Sequence, residues 1–195
     1  MAKNDQQDAY EKALVTSLAR VIDLVKFAEA KNAGLLAFAA ACTVAIANIL
    51  AKANELPTAY KHALPFSAAL FLISALIALY SILPKADLAK FFKGEHRAAR
   101  ELNLVFYGDI SKMDIIDYPQ RVRDRYFPAD KHSVTDRYLS DLSCQIHVNS
   151  TIATRKYALF KTGAWFSLVS MSVLVLPVVW YVISGAIDVI SKAVR

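Results

Sequence analysis

Gln145, Asn149, Arg155 and Lys156 set two amides, a guanidinium and an ammonium within twelve residues, with Tyr138 and Tyr157 close by. Such groups can hold an anion that carries a flat base. The cations take a phosphate, the amides read polar edges, and a tyrosine offers a stacking face. The same residues also make an ordinary positively charged helix surface, and at this level both readings stand.

A second concentration of charge lies upstream. Asp109, Asp114, Asp117, Asp124 and Asp130 can pair with Arg121, Arg123 and Arg125 as a solvated surface. No Gly-rich phosphate loop, nucleophile elbow or HExxH motif occurs, so no enzyme is expected. His62, His96, His132 and His147 lack metal-ligand spacing, and Cys42 and Cys144 form no CxxC pair. Reduced thiols and no metal are the expectation.

The elements that carry these residues are unusual in composition. Of the 195 residues 56% are hydrophobic and mean hydropathy is +0.33, with the apolar residues concentrated in three uncharged runs. These are Asn32 to Ala51, Ala63 to Pro84 and Thr162 to Ile187. Twenty helical residues rise about 30 Å, the thickness of a bilayer hydrocarbon core, so each run predicts a membrane span. A cleaved signal peptide is a poor fit to the first run, because some thirty polar and amphipathic residues precede it. The second run holds eleven Leu, Ile or Phe residues, and the third carries Trp165 near one end and Trp180–Tyr181 near the other, as interfacial aromatics do. The first run has eight alanines and is the weakest lipid-facing span. It is therefore expected to be the most buried of the three.

Charge sets an expected orientation. Lys85 to Lys161 holds 14 Lys and Arg, against two in the loop Lys52 to His62. Positive segments stay cytoplasmic, which places the amino terminus and the middle segment inside and the carboxyl terminus outside. The net charge of +6 reflects this topology and gives no reason to expect a nucleic acid polymer as partner.

The organisation expected is all-α: a cytoplasmic amphipathic helix over 1–31, a membrane hairpin over 32–84 with spans at 32–51 and 63–84, a cytoplasmic helical region over 85–161, a third span over 162–187 and a short external tail over 188–195. Leu14, Leu18, Val21, Ile22 and Val25 form one apolar face, and nothing but Gly34 interrupts a helix from about Asp8 to Leu50. Pro57 breaks the following loop. Leu88, Phe91, Phe92, Ala99, Leu102 and Phe106 predict a further helix, ending at Gly108 in "FYGDI". Ser111 with Asp114, and Ser133 with Asp136, read as helix-starting caps. The first opens a short helix in which Pro119 makes a kink or marks the true start. The second opens a long helix that begins as a water-facing amphipath and ends as the third span.

A middle segment of 77 residues cut into helices buries a modest core. It must pack on the amino-terminal helix, on other subunits, or on both. Within the first span Ala33, Ala37, Ala41 and Ala45 recur every four residues with Asn48 nearby, a stripe that lets helix backbones approach. It suits static packing within the chain or a contact between subunits. Pro177 in the third span is an ordinary membrane-helix proline or a kink that serves gating.

Three stretches carry a resemblance: "AEAKNAGLLAF" before the first span, "LNLVFYGDIS" followed by "YPQRV", and "DLSCQIHVNSTIATRKYALF" before the third. The last places Gln145, Ile146, Asn149, Ser150, Ile152, Ala153, Lys156 and Tyr157 on a QI-x-x-NS-x-IA-x-x-KY pattern. Over roughly residues 25 to 185 the chain resembles the transmembrane effectors of Pycsar anti-phage systems. The resemblance implies a homo-oligomer in the bacterial inner membrane. Cyclic CMP or cyclic UMP, made by a partner pyrimidine cyclase, would activate it to impair the bilayer and abort infection. It also raises the weight of a nucleotide site, with Arg155 and Lys156 for phosphate, Gln145 and Asn149 for base or ribose, and Tyr107 or Tyr138 for stacking. The alternatives from other classes are a passive membrane adaptor that recruits a cytoplasmic partner and a holin-like pore that needs no ligand.

Overall fold

The computed structural model of the protein describes residues 3–52, 57–83, 102–127 and 134–193, with no strand among them. Among the described residues five helices follow in order: α1 (Lys3–Leu50), α2 (Thr58–Ile82), the single turn α3 (Tyr107–Ile110), α4 (Asp117–Tyr126) and α5 (Asp136–Ala193). α1, α2 and α5 are each long and apolar enough to cross a bilayer. The protein is an all-helical membrane protein with three transmembrane helices. Two compact units are present, one of residues 1–27 and 84–155, the other of 28–83 and 156–195. The divisions fall inside α1 and inside α5, so each of these helices contributes to both units.

The second unit holds the apolar spans. Along α2 the buried residues Leu64, Ser67, Phe71, Ser74, Ala78 and Ser81 alternate in steps of three and four, the period of a heptad seam. Their antiparallel partners on α5 also repeat every seven residues. Ser170 faces Ser67, with Oγ to Oγ at 2.6 Å. The Ser74 hydroxyl donates to the Gly163 carbonyl at 2.8 Å, and the Lys156 ammonium donates to the Ser81 carbonyl at 2.9 Å. Small residues permit this close approach, and a Cβ added at Gly163 would lie 2.9 Å from Leu35 Cδ2. The adjoining flank of the same stripe packs Leu64, Phe71 and Ala75 against Ala39 and Ile46 of α1. There Phe38 and Phe71 meet edge-on at 5.9 Å.

The expectation that the first span is the most buried is corrected here. In the most apolar stretch of α2 39% of residues are buried, against 17% for α1. Packing on two sides, rather than polarity of composition, decides which span is central. Ala33, Ala37, Ala41, Ala45 and Asn48 are exposed within this chain, while Ala28, Asn32, Ala39 and Ile46 make the inward face of α1.

In the first unit local hydrogen bonds depart from the expected boundaries. Residues 102–106 are not helical: Asn103 Oδ1 accepts from the Val105 amide at 2.9 Å and folds the chain into a turn. Gly108 does not break a helix but lies inside α3. Ser111 starts no helix but ends α3 as its C-cap, its hydroxyl donating back to the Gly108 carbonyl. Asp114 instead takes the Ile116 amide at 2.9 Å, and Pro119 stands third in α4, in the first turn, where its missing N–H costs nothing. At the start of α5 the Thr135 hydroxyl accepts the Tyr138 amide at 3.3 Å, the geometry of an N-cap. Ser133, Asp130 and the expected helix through Leu88, Phe91, Phe92 and Ala99 lie outside the described residues.

Candidate functional site

In the first unit α4 is short and strongly polar. Asp117 in its first turn and Arg123 and Arg125 in its last turn both complement the helix dipole. Arg121 and Arg125 are one turn apart and so lie on a common face. Arg125 points inward. Its guanidinium donates to the Leu102 carbonyl at 2.8 Å and pairs with Asp141 of α5 at 3.1 Å, both side chains being largely buried.

Asp141 is the centre of a network. The Tyr126 phenol donates to its carboxylate at 2.5 Å, and the Asn103 side-chain amide donates to its backbone carbonyl at 3.2 Å. Burial, and then the hydrogen bond to Asp141, push the Tyr126 phenol far above its ordinary value of 10.0. It is therefore a proton donor at any physiological pH. The Tyr126 ring packs against Tyr138 at 5.3 Å. Burial and the adjacent Glu11 carboxylate of α1 also raise the Tyr138 phenol.

Beside this network opens a cleft of about 360 Å³, lined by Leu102, Leu104, Arg121, Asp124, Arg125 and Arg137. It combines an apolar wall with guanidinium groups from two helices.

The residues singled out by sequence are placed as follows. Gln145 is buried, and its carbonyl accepts the Asn149 amide one turn on, at 2.8 Å. Tyr107 is 71% exposed, beside Phe106. Tyr138 stands with Tyr126 and Glu11 rather than with the amides. Arg155 is half-buried at the end of the first unit. Lys156 belongs to the second unit, where its ammonium pairs with Glu29 at 3.0 Å and caps the Ser81 carbonyl. Nearby Asn32, fully buried, donates to the backbone carbonyls of Ala28 and Lys156. The structure thus links Asn149 to Gln145 through the latter's backbone carbonyl, and gives the other four different surroundings.

Asp141, Tyr126 and Arg137 are not picked out by sequence reasoning. The one legible signal is Asp141 itself, three residues after Tyr138 and four before Gln145, a carboxylate on an otherwise inward-facing stripe. Arg125 pairs with it across helices, at 3.1 Å.

A family model described as the Pycsar effector protein domain matches residues 13–183. The chain belongs to the Pycsar effector family. Among curated proteins it is similar to the Pycsar effector protein RsPycTM of a Rhizobium species, with 35% identity over 170 residues, covering 87% of this chain and 94% of the relative. No solved structure matches it. The match to the Pycsar effector domain runs from within α1 to within α5, and includes all of α2 and the residues named as lining the cleft.

Proposed function

We propose that the protein is a ligand-gated membrane effector of anti-phage defence. A cyclic pyrimidine mononucleotide, cyclic CMP or cyclic UMP, made by a partner cyclase, binds the first unit. Binding shifts the spans to a state that impairs the inner membrane and aborts infection. The amino terminus and central region face the cytoplasm and the carboxyl terminus the periplasm, as the charge distribution favours. The protein acts by binding and carries no catalytic role.

The observation that carries this reading is the continuity of α1 and α5, each a single helix with residues in both units. Rigid helices can pass a change in one unit to the other. To move a population from 1:99 to 99:1 the ligand must favour the active state by about 5.5 kcal/mol. Activity as a homo-oligomer is part of the proposal, and the exposed Ala33, Ala37, Ala41 and Ala45 stripe with Asn48 is its contact surface.

The test is dye release from liposomes containing the purified protein, with cyclic CMP, cyclic UMP, cyclic AMP or cyclic GMP added. Release with a pyrimidine nucleotide alone is expected. Release without ligand would mean a holin-like pore, and no release under any condition a passive adaptor.

For the ligand's seat, one reading keeps the phosphate on Arg155 and Lys156, with Gln145 and Asn149 reading the base and Tyr107 or Tyr138 stacking on it. Asn149 would read the base with its remaining amide groups, since one N–H already bonds the Gln145 backbone carbonyl. This reading requires the phosphate to compete with Glu29 for the Lys156 ammonium.

A further inference from the structure

We infer that the cleft between α4 and the start of α5 is the nucleotide site, holding the phosphate on Arg121 and Arg137 and reading a cytosine amine with Asp124. This rests on the reading of the protein as a cyclic-nucleotide effector and gives that reading a location.

The first reason is charge. Arg121, Arg125 and Arg137 line the cleft with Asp124, which brings guanidinium groups from two helices to one opening. Arginine presents a planar fork of donors that matches two phosphate oxygens at once. Arg125 already spends its fork on Leu102 and Asp141. Its role is to brace α4 against α5, and so it is a positioning residue. Arg121 and Arg137, which line the same cleft, are both exposed to the solvent from which a ligand enters.

The second reason is shape and polarity. About 360 Å³ lies in the range of roughly 300–1,000 Å³ found for small-molecule sites. Leu104 is buried and Leu102 half-buried, an apolar surface against which a ribose or pyrimidine face loses water. Among the described lining residues the remaining polar group is the Asp124 carboxylate. A carboxylate accepts from the exocyclic amine of cytosine, whereas uracil presents a carbonyl oxygen at the same position. The site should therefore prefer cyclic CMP.

The third reason is consequence. The ligand would touch α4 and α5 together, beside the Arg125–Asp141 pair that ties them. Occupancy can thereby bias the packing of α5, the helix that carries on into the third span.

The test is isothermal titration of the full-length protein in detergent with cyclic CMP, cyclic UMP and inorganic phosphate, repeated for Arg121→Ala, Arg137→Ala and Asp124→Asn. Arg121→Lys and Arg137→Lys serve where an alanine variant melts early. Wild type should bind cyclic CMP at least about tenfold more tightly than cyclic UMP or phosphate. Each arginine variant should weaken it about tenfold or more, as expected for a lost charge-assisted hydrogen bond. Asp124→Asn should bring cyclic CMP and cyclic UMP together. Unchanged affinity in both arginine variants would overturn this site while leaving the effector reading intact. Equal binding of inorganic phosphate would reduce the cleft to a general anion site, and a preference for cyclic UMP would overturn the role of Asp124. No binding of any cyclic nucleotide to wild type would remove the effector reading and this site together.

Discussion

Ser67 of α2 and Ser170 of α5 clasp each other. Ser170 Oγ donates to the Ser67 carbonyl at 2.8 Å, and Ser67 Oγ lies 2.6 Å from Ser170 Oγ and 3.2 Å from the Ser170 carbonyl. Seven residues further along each helix, Ser74 bonds Gly163 and also meets Ser167 at 2.9 Å. Within lipid there is no hydrophobic drive between helices, so close packing and such polar contacts must hold the seam. Interhelical hydrogen bonds in membranes average about 0.6 kcal/mol and reach about 1.7. Ser67→Ala with Ser170→Ala is expected to show a coupling in that range, measured as a double-mutant cycle on unfolding in detergent.

Gly163→Val tests the close approach on the same seam. A Cβ there would lie 2.9 Å from Leu35 Cδ2 of α1 and in ordinary contact with the Ser74 carbonyl at 3.5 Å, and the further atoms of Val overpack the site, at about 1–3 kcal/mol. A lowered Tm with retained helicity is expected by circular dichroism. An unchanged Tm would mean that α1 and α2 are not packed closely around Gly163.

The Arg125–Asp141 pair supports the first unit from within. Removing one partner of a buried pair costs about 3–5 kcal/mol, because the other charge is left without compensation. Asp141→Ala should therefore melt early, and the milder Asp141→Asn should fall between it and wild type. Equal Tm values for all three would show that the pair bears no stability.

Alkaline pH should loosen the same network. The Tyr126 phenol titrates above its ordinary 10.0 in the folded protein, owing to burial and Asp141. Between the unfolded and the folded value the unfolded chain has released a proton that the folded one retains, so stability falls as pH rises past 10. At lower pH the contribution is whole. The stability difference between wild type and Tyr126→Phe should shrink across that alkaline window and stay flat around neutral pH, followed by denaturant titration.

The alanine stripe of α1 predicts a change in assembly without a change in fold. Ala37 and Ala41 are exposed in this chain, so Ala41→Leu should leave the monomer's helicity intact. If the stripe joins subunits, native mass spectrometry in detergent will show fewer subunits for the variant. An identical oligomer would free this face for lipid.

Length and apolarity alone determined the three spans, because a bilayer demands about twenty apolar residues whatever else the chain does. The same local arithmetic located α1 from Asp8 onward and the α5 amphipath, and the match to the family's pattern before the third span was legible in residues 145–157. Which span would be central was not legible. Alanine content pointed to α1, but the seam of Leu64, Ser67, Phe71, Ser74, Ala78 and Ser81 selected α2, because burial depends on which partners arrive on each side. Turn chemistry was likewise decided locally: Ser111 could have capped a helix, yet its hydroxyl turns back to the Gly108 carbonyl, and Asp114 folds the turn before α4 by accepting the Ile116 amide. The candidate site is the clearest case. Arg121 and Arg125 were visible as charges one turn apart, but Arg137, Asp141 and Leu104 join them only across helices. Sequence spacing records contacts along a helix, and the cleft is made by contacts between helices that only the folded chain brings about.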